Sequence, residues 1–138
     1  MGVVNGKFDI DQDNFNMACK TADIPTVKKA LETNMSIDPS WNNNQMLKYC
    51  IYETHFDVAK LMLASDRLSK LDESVLGYGL SSLNIEIINL LLHHPMITIP
   101  DNILNWCKEE GLPKEIHDLV QEHMFRLDGP VYTQNIIQ

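Results

Sequence analysis

The feature that most constrains this chain is that it repeats itself. Setting Ala18, Cys50, Gly79 and Cys107 in register, at intervals of 32, 29 and 28 residues, aligns four small side chains. Three residues earlier stand Phe15, Leu47, Leu76 and Leu104, all large and apolar. Immediately before the small residue come Met17, Tyr49, Tyr78 and Trp106, again all large. Nine residues after it lie Val27, Ala59, Ile88 and Ile116, and thirteen after it Leu31, Leu63, Leu92 and Val120. Self-similarity at a period of about 20–50 residues marks an array of small units, none of which buries its apolar face alone.

The clearest copy runs from Met46 to Leu63 and reads as two short helices with a break near Thr54 and His55. Leu47, Cys50 and Ile51 share one face of the first helix; Val58, Ala59, Met62 and Leu63 share one face of the second. Helices of two or three turns are marginal alone in water, so each pair must lean on its neighbours. A small residue between bulky ones lets two helices approach closely, which gives the aligned column a packing reason. The same logic predicts Tyr49 and Trp106 as core packing residues. Ile85 to Leu92, apolar almost all round, is expected to be the most buried helix.

The second unit also carries a family resemblance. Thr54-His55-Phe56-Asp57-Val58-Ala59-Lys60-Leu61-Met62-Leu63 resembles the second half of an ankyrin repeat, usually Gly-His-x-Glu-Ile-Val-Lys-x-Leu-Leu. Asn84 to Leu92 is similar to the same segment, and Asp23 to Leu31 more weakly so. The likeness covers about residues 13–125. The family's Thr-Pro-Leu-His opening is missing from every unit, its helix-separating glycine survives only as Gly111, and the units are shorter than the family's ~33 residues. The resemblance implies an all-α helical-repeat solenoid of about four ankyrin-like helix pairs with irregular or shortened hairpin loops. The units fall at about 13–40, 41–71, 72–99 and 100–126, between a flexible N-terminal segment, 1–12, and a C-terminal tail, 127–138.

Local signals punctuate these units. Asp13, Asp23 and Ser74 are expected as helix N-caps, because a short polar side chain there accepts from free backbone amides. Met35 to Asn44 reads as a turn-rich connection with Asp38-Pro39-Ser40, a run of asparagines and Trp41 in its middle. Asp128-Gly129-Pro130 reads as a turn, leaving Val131 to Gln138 free to extend.

The chain of 138 residues is one domain or one short array. Its 11 basic and 19 acidic residues give a net charge of −8, which argues against nucleic acid and anionic membrane surfaces and permits a basic patch on a partner. No apolar run approaches the ~20 residues of a membrane span, and residues 1–13 carry no apolar stretch that reads as a targeting signal. The expected compartment is cytoplasmic or nuclear. Cys50 and Cys107 stand in the small-residue column and Cys19 beside it, where cysteine behaves as a small buried hydrophobe.

Chemistry-bearing motifs are absent: no phosphate loop, nucleophile elbow, His-Glu-x-x-His helix or paired cysteine motif occurs. Asp9, Asp11 and Asp13 alternate as in a calcium loop, but Asn14 and Lys20 stand where the turn glycine and closing glutamate belong. His93-His94-Pro95 suits a helix end, and His117-Asp118 lacks the further ligands of a metal phosphohydrolase. The expectation is therefore no catalytic residue, metal or cofactor, and a non-catalytic, monomeric protein-binding module: an adaptor, inhibitor, scaffold or assembly factor. Two alternatives stay open. One is a subunit of a stable complex docked through the repeats and the C-terminal tail. The other is a small metal-dependent enzyme using His93, His94 or His117.

In the ankyrin family, partners are gripped on a concave face by the tips between units and the exposed side of each first helix. The resemblance therefore implies tip contacts from Trp41, Asn42 and Asn44, with Lys70 at the next tip. It implies first-helix contacts from Tyr52 and Glu53, from Lys20 and Thr21, from Ser81 and Ser82, and from Glu109 and Glu110. Trp41 and Tyr52 in one groove are the expected aromatic anchors, since large rigid groups are desolvated at little entropy cost; the alternative for Trp41 is a loop anchor folded over the first two units.

Overall fold

The computed structural model describes residues 3–4, 7–8 and 10–137, with side chains described over residues 10–125. The chain is all-α, with eight helices among the described residues. A minimal antiparallel hairpin precedes them, β1 (Val3–Val4) and β2 (Lys7–Phe8), with Val3 opposite Phe8 and Val4 opposite Lys7. The flexible segment expected over 1–12 thus contains this hairpin, and its residues 1, 2, 5, 6 and 9 lie outside the described residues. Two compact units follow from the backbone contacts, Met1–Thr98 and Ile99–Gln138.

The first unit holds three helical hairpins: α1 (Gln12–Lys20) with α2 (Ile24–Thr33), α3 (Trp41–Tyr52) with α4 (Phe56–Ala64), and α5 (Glu73–Ser81) with α6 (Ile85–Leu92). Each first helix packs on its own partner, α1 also touches α3, and α3 touches α5. The second helices do the same, α2 against α4 and α4 against α6. Two rows of helices result. The interior is built from the aligned columns: Phe15, Leu47 and Leu76 are fully buried, as are Val27, Ala59 and Ile88. A side chain of this kind contributes about 1.5–3 kcal/mol when taken from water. Gly79 shows why its column is small. A methyl group at its Cα would collide with Cδ1 of Leu91 on α6, so that leucine side chain would have to shift to admit one. Beside it in the same row, the Cys50 thiol donates to the Cys19 carbonyl at 3.5 Å. A separate side-chain interaction between the two thiols, and then burial, push the Cys19 thiol far above the ordinary range.

Between the helices of every hairpin the backbone turns left-handed at one residue. Those residues are Ala22 (φ 56°), Thr54 (φ 62°) and Leu83 (φ 58°) in the first unit and Gly111 (φ 70°) in the second, each four places after the aligned small residue. Their amides donate three residues back, to the carbonyls of Cys19, Ile51, Leu80 and Lys108 at 3.1–3.2 Å. The next amide reaches the small residue's own carbonyl: Asp23 to Ala18 and His55 to Cys50 at 2.8 Å, Leu112 to Cys107 at 3.1 Å. This pair of bonds is the Schellman closure of a helix end. At the third bend Asn84 N–H donates instead to Ser82 Oγ at 3.1 Å.

The loops between hairpins are tied by side chains. Gln12 exchanges two hydrogen bonds with the backbone of Asp38, and Asn34 Nδ2 donates to Ile10 O at 2.8 Å. Ser40 Oγ accepts from Ser69 N–H at 2.7 Å. Arg67 crosses from one loop to the end of α2, its guanidinium donating to the carbonyls of Leu31 and Asn34 at 2.9 Å, Ile37 at 3.0 Å and Ala30 at 3.3 Å. A cation at a helix C-terminus also meets the negative end of the helix dipole. Leu71 and Ile97 then pair as a single parallel bridge, Leu71 N–H to Met96 O and Thr98 N–H to Leu71 O.

Several local expectations are corrected. The cap of α1 is Asp11, whose Oδ1 accepts from Asn14 N–H at 2.8 Å; Asp13 already lies in the first turn. The cap of α5 is Asp72 rather than Ser74, for the same reason: its extended backbone turns the carboxylate back onto the amides of Ser74 and Val75. Asp23 caps α2 as the sequence predicts. The connection expected up to Asn44 does run that far in backbone terms: within the range of α3, Asn42, Asn43 and Asn44 are left-handed (φ 54°, 55° and 62°), and the right-handed turns begin only after them. In α6, Ile87, Ile88, Leu91 and Leu92 are buried but Leu90 is 39% exposed, so one stripe faces outward.

In the second unit, α7 (Ile103–Glu109) packs on α8 (Lys114–Ile137), and Ile103, Cys107, Ile116 and Val120 are buried. Helix α8 runs through Asp128-Gly129-Pro130, where the sequence predicts a turn. Proline's fixed φ is itself helical, and lacking an amide hydrogen it removes one rung. The side chains of the expected tail 127–138 lie outside the described residues.

Candidate functional site

The outward side of the first-helix row carries the most distinctive surface of the first unit. Tyr52, 71% exposed at the end of α3, meets Tyr78, 41% exposed on α5, in an edge-to-face contact with ring centroids 6.3 Å apart and planes at 88°. Such aromatic pairs contribute about 0.5–1.5 kcal/mol beyond their buried area. Tyr49, one helical turn before Tyr52, is half-buried and rests edge-on against the His55 ring at 6.1 Å. These three tyrosines, with Lys48 and the amides of Asn42, Asn43 and Gln45, line an open cleft of about 530 Å³.

The head of the cleft is fixed by the asparagine turn. Left-handed residues in succession are unfavourable for L-amino acids, asparagine being among the few that tolerate the conformation. Here the side chains hold it. Asn44 Nδ2 donates to Lys70 O at 3.1 Å, Asn43 Nδ2 donates to Asp72 Oδ2 at 3.1 Å, and Asn42 donates to Gln45. Asp72 in turn accepts from Ser74 Oγ at 2.6 Å, and Lys48 Nζ stands 3.4 Å from that hydroxyl. The Ser74 hydroxyl first, with the Asn43 amide and two backbone N–H groups, holds the Asp72 carboxyl below its usual range, so it is ionised at neutral pH.

The residues expected to bind a partner are dispersed by the structure. Asn42 and Tyr52 line the cleft. Trp41 is 37% exposed and does not line it, so the two expected anchors do not share one groove. Asn44, expected at an exposed tip, is 1% exposed, because its amide is the tie to the Lys70 carbonyl; its Oδ1 has no hydrogen-bond partner among the described residues. Lys20, Glu53 and Lys70 are exposed without lining the cleft, and Glu109 and Glu110 are exposed in the second unit.

Tyr78, Tyr49, Lys48, Asn43 and Gln45 are the members sequence reasoning missed. The signal for the tyrosines was present but misread as core. At about 100° per residue, the position just before the small column sits roughly 130° from the centre of the buried face. Met17, at the same place on α1, is accordingly 57% exposed, and Trp106 on α7 is half-buried.

A second hollow runs along α6, lined by Leu63, Leu90, His93 and His94 among others, and is more apolar. Burial lowers the His94 pKa, and its Nδ1 accepts from Met96 N–H at 3.1 Å. His93 Nδ1 contacts the Asn89 carbonyl at 2.9 Å, the helix-end role expected for it. Among the described residues no group of three or more His, Cys, Asp or Glu is placed to hold a metal ion. Among them, too, no helix is long and apolar enough to cross a membrane. Compared with protein-family models, with curated proteins and with solved structures, the chain matches none.

Proposed function

We propose that this chain is a non-catalytic protein-binding module built as an ankyrin-like helical-repeat solenoid, which holds one partner against the outward face of its first helices. The observation that carries the reading is the tyrosine pair: Tyr52 and Tyr78, exposed side by side over an amide-lined cleft. Rigid aromatics flanked by adaptable amides are the composition of surfaces that bind other proteins. The ankyrin-like part of the reading is supported by the aligned columns, the two rows of helices in the first unit and the left-handed residue at the same place in every hairpin.

The test is affinity purification with wild-type protein and with a Tyr52→Ala/Tyr78→Ala variant as baits. A partner retained by the first and lost by the second supports the reading; equal recovery on both overturns it. Each single substitution is expected to weaken the purified complex by about 2 kcal/mol, more than the free module loses in stability through the missing ring contact, about 0.5–1.5 kcal/mol.

A further inference from the structure

We propose that the tyrosine cleft takes an extended, proline-rich segment carrying arginine or lysine, so that the partner is recognised through a polyproline II stretch. The inference rests on the protein-binding reading above and specifies the chemistry of the partner.

Three observations lead to it. The first is depth. The cleft is open and its walls are side chains of two adjacent helices, so an occupant makes few contacts there. Ordering a flexible chain costs about 1–2 kcal/mol per residue, which a shallow surface does not return. A chain already held in the polyproline II form by its own rings loses far less.

The second is hydrogen-bond polarity. Every side chain lining the cleft can donate, the Lys48 ammonium only so and the hydroxyls of Tyr49, Tyr52 and Tyr78 and the Asn and Gln amides as well as accepting. No carboxylate is among them. A proline-rich strand is the matching opposite, since its carbonyls are unpaired and its prolines have no N–H to satisfy. The perpendicular rings of Tyr52 and Tyr78 also offer π faces against which proline rings and guanidinium groups stack.

The third is charge at the border. Asp72 is bonded to the cleft's Asn43, Glu73 follows it on α5, and Glu53 follows Tyr52 on α3. Lys48 is the one cation lining the cleft, and the whole chain carries −8. Basic side chains flanking the prolines are attracted to this border.

The experiment titrates full-length protein into fluorescein-labelled peptides of about twelve residues, followed by anisotropy. One peptide has several prolines and two arginines; in a second the prolines are alanines, and in a third the arginines are glutamates. Saturable binding of the first is expected, weakened about thirtyfold by Tyr52→Ala or Tyr78→Ala and about tenfold or more in each altered peptide. Absence of saturable binding, or equal binding of the alanine peptide, overturns the inference; equal binding of the glutamate peptide overturns its basic half. A phage-displayed random peptide library, panned in parallel, separates the two levels. Selected peptides without proline that lose binding to Tyr52→Ala overturn the proline class and leave the module standing. Selected peptides indifferent to both tyrosine substitutions overturn the cleft as well.

Discussion

The bends inside the hairpins and the loops between them solve one problem by opposite means. Both reverse the chain, every bend through one left-handed residue and the connection into α3 through three, Asn42, Asn43 and Asn44. At three of the four bends the backbone closes itself: a Schellman pair of amides caps the helix after Ala22, Thr54 and Gly111, while at Leu83 the Ser82 hydroxyl takes the second amide. Between hairpins, side chains do the closing. Arg67 binds three carbonyls at the end of α2 and that of Ile37 in the connection beyond it, Ser40 catches Ser69, and Asn43 and Asn44 reach the following loop. A bend closed by backbone accepts almost any residue at a modest cost. A loop closed by side chains depends on particular ones.

Substitutions can break or sharpen that contrast. The largest loss is expected for Arg67→Ala, about 3 kcal/mol or more, because charge-assisted hydrogen bonds vanish and part-buried carbonyls lose their donor. Arg67→Lys should recover little, since an ammonium cannot span the four acceptors as a planar fork does. A denaturation midpoint within experimental error of wild type for Arg67→Ala would remove the side-chain half of the contrast. Asn44→Ala should follow at about 2 kcal/mol, losing the tie to the Lys70 carbonyl and a residue tolerant of φ 62°.

The bends should respond in the opposite direction. Thr54→Gly is expected to stabilise by about 1 kcal/mol, since a β-branched residue at φ 62° is strained and glycine there is not. A lowered melting temperature would mean that the Thr54 side chain holds the bend after all. The smallest effect is pH-linked. Asp72→Ala should cost about 1 kcal/mol as a lost N-cap, and because the folded carboxyl titrates below its ordinary 3.8, that difference is fully present above this pH. It is lost as the pH falls through the lower folded value. Denaturant titrations of both proteins at neutral pH and near pH 3 should show the gap closing; a gap that widens in acid would contradict the ionised cap.

Much of the scaffold is legible in the sequence. Phe15, Leu47 and Leu76, with Val27, Ala59 and Ile88, announced the helices and their buried faces by spacing alone, and Gly79 announced a close approach. The candidate site was legible only in part. Tyr52 and Asn42 stand on the expected surface, but Tyr49, expected in the core by its bulk, lines the cleft, and Asn44, which the ankyrin resemblance places at a tip, is buried.

What the sequence determined by itself is the helical period, the pairing into short hairpins and the columns that must leave water, because these follow from local geometry and the hydrophobic effect. What only the tertiary structure decided is which side chains from distant positions meet. Tyr52 finds Tyr78 across 26 residues and Arg67 reaches back to Ala30 across 37, contacts that depend on how one hairpin seats against the next. Periodicity states which face of a helix is turned inward. It does not say which neighbour stands across the gap, since that is set by the rigid-body placement of packed elements and not by any single stretch of chain.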